Sequence, residues 1–217
     1  MKKILSIVLI IFVFSACKDK NEKGEFIIKG KIQNVPDQEI YLEQVFFSKR
    51  PPEILDTVKL VKGAFIVKGL SSEMGLYRLR LSTSDNAYFF INDQKDIAFN
   101  ADANNNTLNA DNFNTPANRL LKNFIVDIDT MQKQLNAGMM LIEKQKMDFE
   151  PDSVLNISRA AFDKNLATYK DYIVKYIDTT SNPVMAMIAI GYTRDIDPKI
   201  LEKPIQGLAK NFLHIKA

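Results

Sequence analysis

Cysteine, histidine and tryptophan are almost missing from this chain: 217 residues hold one Cys, one His and no Trp. A single Cys excludes an intrachain disulfide and a Cys-x-x-Cys redox pair. With one His beside it, a Cys/His zinc site is excluded as well. Strong charge of one sign is also lacking. Twenty-nine basic residues face 26 acidic ones, for a formal net charge of +3. Lys2 and Lys3 account for much of that excess, so the body has no clustered basic face for nucleic acid. The chain contains no Gly-x-Ser-x-Gly and no phosphate-binding loop. His214, the lone His, has no Ser or Cys nucleophile in a recognisable context. These absences predict a protein that is not an enzyme and carries no cofactor and no metal. What is present is ordinary for a folded body: 46% hydrophobic and 25% charged residues, which excludes disordered and collagen-like chains.

The N-terminus carries an address. Met1-Lys2-Lys3 precedes an apolar run from Ile4 to Phe14 that ends in Ser15-Ala16-Cys17. A basic start, a short apolar stretch and small residues make an export signal. Eleven helical residues would span roughly 17 Å, well short of a hydrocarbon core of ~30 Å. Phe14-Ser15-Ala16-Cys17 resembles a bacterial lipobox, with Phe14 where Leu is commonest. That resemblance implies a lipoprotein signal peptide over residues 1–16, cleavage between Ala16 and Cys17, and lipidation of Cys17. The membrane is then a partner through the N-terminal lipid, and the expected location is the cell envelope, at the outer membrane. Periplasmic and surface-exposed faces both stay open. Residues 17–24, Lys18 to Gly24 after the lipid Cys, read as a charged tether with nothing to bury.

Residues 25–112 read as a β module. β-branched and aromatic runs cover Phe26–Ile32, Ile40–Leu42, Ile54–Leu60, Ala64–Lys68, Leu76–Leu81, Tyr88–Ile91 and Ile97–Phe99. Gly, Pro, Asn, Asp and Ser punctuate them, the pattern of an antiparallel sandwich or barrel. Lys62-Gly63 predicts a hairpin turn. Leu76, Arg78 and Arg80 alternate with Tyr77, Leu79 and Leu81. Tyr88–Ile91 is continuously apolar, as a strand covered on both faces would be. Phe26-Ile27-Ile28-Lys29-Gly30 is echoed by Phe65-Ile66-Val67-Lys68-Gly69, two similar strands rather than a repeat. The Asn- and Asp-rich stretch 100–114 lacks a calcium ligand ladder. It reads as a connector with one short edge strand, Thr107–Ala110.

Residues 115–217 read as helical. Thr115-Pro116 predicts a helix start. Leu121, Phe124, Ile128, Met131, Leu135 and Ile142 then form a stripe, weakened by Gly138. Phe149-Glu150-Pro151-Asp152 breaks the run. Phe162, Leu166, Tyr169, Ile173 and Tyr176 make a second stripe, so a long helical hairpin is expected. Asn182-Pro183 and Asp197-Pro198 start two further helices. The fold class is therefore α+β: an N-terminal antiparallel β-sandwich-like module, then an all-helical segment with a long helical hairpin. Met139, Met140, Met185 and Met187 read as core filler rather than copper ligands. Asp127 and Asp129, two apart on a helix, point to different faces and read as solvated charges.

Four Asp-Ser/Thr triplets resemble the O-glycosylation acceptor of Bacteroidetes envelope proteins. A sugar needs exposed surface, which makes Ser153 and Thr179, near loops, the candidates. The order of segments carries a wider resemblance. Phe26-x-Ile28-x-Gly30-x-Ile32, Ile40-Tyr41-Leu42, Asp56-Thr57, Lys62-Gly63-x-Phe65-x-Val67-x-Gly69 and Phe89-Phe90-Ile91 follow one another, and Ser181-Asn182-Pro183 comes later. This is similar to the N-terminal region of Bacteroidetes thiol–disulfide oxidoreductase-type envelope lipoproteins. In that family a thioredoxin-like domain with a Cys-x-x-Cys pair follows the helical segment and carries the redox activity. No such pair exists here, so no catalytic residue carries over. The resemblance implies a non-catalytic anchoring and accessory region without its redox domain. The alternative is a standalone ligand- or protein-binding envelope lipoprotein, with an envelope protein as its partner. The sequence leaves the oligomeric state undetermined.

Overall fold

The computed structural model describes residues 24–84, 87–105, 107 and 112–213. Residues 1–16, Cys17 and the tether up to Lys23 lie outside the described residues, as does His214. Gly24, the last residue assigned to the tether, already belongs to the body: its carbonyl accepts the Ser71 amide at 2.9 Å.

Eight strands precede four helices among the described residues, so the fold is α+β as expected. The strands are β1 (Glu25–Gln33), β2 (Gln38–Val45), β3 (Glu53–Leu60), β4 (Ala64–Leu70), β5 (Leu76–Leu81), β6 (Ala87–Ile91), β7 (Asp96–Asp102) and β8 (Asn112–Phe113). They form two four-stranded sheets, ordered β4-β1-β7-β8 and β3-β2-β5-β6. Period-two alternation sends one set of side chains from each sheet into a shared core. Ile28, Val67 and Phe99 of the first sheet meet Leu42, Leu79 and Phe90 of the second there. Aromatic rings tie the layers together, with Phe26–Tyr77 centroids 5.0 Å apart and Phe90–Phe113 also 5.0 Å apart.

Three sequence expectations for this module change. Not every pair is antiparallel, because β1 pairs β7 in parallel. β4 already occupies one edge of β1, and the chain returning from the second sheet takes the other. The Lys62-Gly63 turn has the positive φ angles of a tight hairpin turn, 50° and 78°, and closes a Val61–Ala64 bridge. Beyond that bridge β3 and β4 part and enter different sheets, so the turn is a corner of the sandwich. Thr107 lies in a bend and residues 108–110 lie outside the described residues; the edge strand is β8, at 112–113.

The echo between β1 and β4 acquires a physical meaning. The two strands pair antiparallel, with Phe26 opposite Gly69 and Phe65 opposite Gly30. A Cβ on Gly30 would lie 2.1 Å from the Phe65 ring, and one on Gly69 would lie 2.2 Å from the Phe26 ring. Each glycine makes the space that the facing phenylalanine fills.

The helices are α1 (Pro116–Met147), α2 (Asp152–Thr179), α3 (Pro183–Ile190) and α4 (Pro198–Leu213). Pro116 stands at the first helical position of α1, and the Asn182 side chain caps α3 by accepting the Val184 and Met185 amides, both at 3.0 Å. A second core joins the helices to the outer face of the second sheet. In it Leu76 and Ile91 pack with Leu121, Phe124, Ile173, Ile177 and Met185. The first stripe is buried only at Leu121, Phe124 and Ile128; Met131, Leu135 and Ile142 are half-buried. Gly138 fits the stripe rather than weakening it, since Phe162 of α2 packs where its side chain would be, 3.3 Å from a built Cβ.

Candidate functional site

The seam between β6 and α1 sets the geometry of the candidate site. Thr115 precedes α1 but its side chain does not cap it. The cap comes from Asp93, just after β6, whose carboxylate accepts the Ala117 amide at 2.8 Å and the Thr115 hydroxyl. One turn into α1, Asn118 is buried and faces the strand. Its amide nitrogen donates to the Ile91 carbonyl at 2.8 Å, and its oxygen accepts the Ile91 amide at 2.7 Å. The same nitrogen lies 2.7 Å from the Thr115 hydroxyl. An edge strand and a helix start that lacks a cap from its own preceding residue thus satisfy one another.

A half-open groove of about 520 Å³ runs beside this seam. Ala87, Tyr88 and Phe89 of β6 form one wall; Leu121, Lys122 and Ile125 of α1 form the other. Asn105, Thr107 and Phe113 also line it, as do Ile188 and Tyr192. Burial raises the Tyr192 phenol above its ordinary range, with Tyr169 adding to the effect, so it stays a neutral hydroxyl. Phe89 is 47% exposed, which corrects the expectation that Tyr88–Ile91 is covered on both faces. β6 is the last strand of its sheet. Tyr88 and Phe90 serve the sandwich core, Ile91 serves the helical core, and Phe89 is left to the groove.

Beside the groove the outer face of the second sheet carries a charged cluster. Glu43 is 3% exposed and holds two arginines of β5. Arg78 Nε donates to one carboxylate oxygen at 2.5 Å; Arg80 Nε and Nη2 donate to the other at 2.9 and 2.7 Å. The Arg80 guanidinium also lies over the Tyr41 ring, 4.4 Å from its centroid. Burial acts to raise the Glu43 carboxyl, but the bonds from Arg80 and Arg78 outweigh it and hold the group below the usual carboxylate range.

Of the residues singled out from sequence, Ala16 and Cys17 lie outside the described residues. Ser153 sits exposed in the first turn of α2, and Thr179 ends that helix, exposed, with its hydroxyl donating to the Lys175 carbonyl at 2.8 Å. The two are at opposite ends of α2 and form no common site. Met185 is buried in the helical core, whereas Met139, Met140 and Met187 are exposed, so core filling describes only the first. Asp127 is more than a solvated charge: it accepts the Tyr172 hydroxyl at 2.8 Å across the hairpin. Burial and then that bond raise the Tyr172 phenol. Asp129 pairs with Lys133 at 2.7 Å. Among the described residues no group of three His, Cys, Asp or Glu is placed to hold a metal ion, and no helix is long and apolar enough to cross a membrane.

Sequence reasoning assigned no role to Glu43, Asp93 or Asn118. One signal for the first was present, because two arginines on one face of a strand need a counter-charge on a neighbour.

Comparison with known families places a boundary on this assembly. Residues 26–121 match a family model described as a domain of unknown function, DUF4369. The matched span runs from β1 into the second turn of α1, and so contains the Asp93–Thr115–Asn118 seam. No curated protein and no solved structure matches the chain.

Proposed function

We propose that this chain is a non-catalytic, lipid-anchored lipoprotein of the cell envelope. In this reading it is the anchoring and accessory region of a thiol–disulfide oxidoreductase-type protein without its redox domain. The observation that carries it is an order of segments: a lipobox-like site at Cys17, a strand-built module from Glu25, and a helical hairpin from Pro116. The Cys17 thiol, the only one in the chain, would be used by lipid. Stable anchoring takes more than one acyl chain, which lipidation of both the sulfur and the amine of Cys17 would supply. The rigid seam between β6 and α1 supports a role in positioning rather than reaction.

A second reading, a standalone binding lipoprotein, is favoured by the groove. Its volume of about 520 Å³ falls within the range of ligand sites, ~300–1,000 Å³.

Labelling cells with a palmitate analogue tests the anchor. The wild-type chain is expected to take the label and fractionate with membranes. Cys17→Ala should lose both properties and keep its signal peptide. Label retained by Cys17→Ala defeats the anchor. Insulin reduction by the purified chain is expected to equal the protein-free rate; thiol-dependent turnover defeats the non-catalytic reading. A blot of source-cell membranes separates the two forms of the proposal. A band near 24.7 kDa supports the standalone protein, and a band larger by a domain of roughly 100–200 residues supports the accessory region.

A further inference from the structure

We propose that a cleft in the helical segment binds a short peptide by its two free ends, the carboxylate on Lys170 and the ammonium on Asp195. The inference depends neither on the lipid anchor and accessory role nor on the groove beside β6.

Three pieces of chain build the cleft. Gln132 and Asn136, four apart on α1, share one helix face, as do Leu166, Tyr169 and Lys170 on α2. Tyr192 and Asp195, from the turn between α3 and α4, supply the third side. The cleft is half-open and holds about 390 Å³, within the range of small-ligand sites. Its third side is fixed in place. Ile196 is buried, its amide donates to the Thr193 carbonyl at 2.9 Å, and the Thr193 hydroxyl donates to the Ile190 carbonyl at 2.8 Å. A wall ordered in advance lowers the entropy cost of binding. All of these residues lie beyond 121, outside the span that matches the family model.

Charge selects the ligand. Lys170 is half-buried and Asp195 is exposed. Both line the cleft, yet they do not pair with one another. Among the described residues neither has an ion pair or a side-chain hydrogen bond. A cation and an anion held apart in one cleft complement a zwitterion. A ligand with a single charge would be attracted by one group and repelled by the other. The free ends of a peptide supply both charges.

The rest of the lining suits the body of such a ligand. The Gln132 amide nitrogen donates to the Tyr169 hydroxyl at 3.4 Å, which leaves its oxygen as an acceptor. The Asn136 carboxamide has no hydrogen bond among the described residues. Together these side chains offer the donor and the acceptors that a peptide group needs. Leu135, Leu166 and Ile196 add apolar surface for a ligand side chain.

The test is saturation-transfer NMR of the full chain with a mixture of apolar dipeptides, free at both ends, followed by titration of the binder found. N-acetylation or C-amidation of that dipeptide should each weaken binding by about tenfold, the worth of one charged hydrogen bond. Lys170→Gln should bind the free and the C-amidated forms alike and still prefer the free amine. Asp195→Asn should show the reverse pattern. A merely structural role would weaken every ligand equally and leave both preferences in place. Backbone amides of residues 132–136, 166–170 and 192–196 should shift on binding. Should a variant fail to fold, the blocked dipeptides decide on the wild-type chain alone. No binder in the mixture, blocked forms that bind as tightly as the free one, a folded variant that keeps both preferences, or shifts confined to the groove beside β6 overturns the proposal. Binding of maltose in place of every dipeptide also overturns it and assigns the cleft to a neutral sugar.

Discussion

Glu43 shows what a single buried carboxylate does here. It sits almost out of water beneath two guanidinium groups that are each about a quarter exposed, at 25% and 28%. Taking away its charge removes the carboxylate that two arginines on β5 both bond. Removing one member of a buried pair costs about 3–5 kcal/mol, and the partial exposure of both arginines reduces this to about 2 kcal/mol. Glu43→Gln is therefore expected to lose roughly that amount of stability in urea melts at neutral pH. Because the folded carboxyl titrates below its ordinary value of 4.5, the ionised form stabilises the fold above that pH. This contribution disappears as pH falls through the lower, folded value. Wild-type stability should drop as pH falls below 4.5 by more than that of Glu43→Gln, and parallel pH profiles for the two would sink the assignment.

At the scale of elements the informative feature is the start of α1. Pro116 announces it locally, yet its cap is Asp93, more than twenty residues earlier, and its anchor is the backbone of β6. Asp93→Ala is expected to cost about 1–2 kcal/mol, the worth of a good cap. Asn118→Ala strands a buried amide and carbonyl at Ile91 and should cost about 2–4 kcal/mol. Both residues bond Thr115, so the double variant should lose less than the sum of the two. Strict additivity in chemical denaturation would show that the three do not act as one network. The cap of α3 is the contrasting case. Asn182 and the amides it caps lie within three residues of one another, and Asn182-Pro183 was legible from sequence as a helix start for that reason.

For the whole molecule the consequence is an uneven distribution of packing. α1 has 32 residues, so it is about 48 Å long. Its buried residues end at Ile128, within the part that faces β6 and α3. The distal hairpin is a two-helix arm whose stripes pack on each other. Its far end exposes Met147, Phe149 and Ile157, with Phe149 92% exposed. A pair of helices without a third layer opens more readily than a sandwich core. Amide hydrogen exchange is expected to be faster over residues 138–165 than over β1, β5 and the first three turns of α1. Uniform protection along α1 would contradict this picture.

The positions of β1 to β7 and of the helices, the tight turn at Lys62-Gly63, the helix-starting prolines and the α+β class were determined by sequence alone. Each rests on the conformational preference of a few adjacent residues or on a short period of apolar ones. The sequence also carried the twin Phe-x-x-x-Gly segments, but not the reason for them. Only the tertiary structure decided that each Phe covers the other strand's Gly, that β7 runs parallel to β1, and that β3 and β4 part at their turn. The same holds for Glu43 beneath two arginines and for Asn118 on the edge of β6. These contacts join residues distant along the chain, and their choice depends on burial summed over two cores rather than on any local preference.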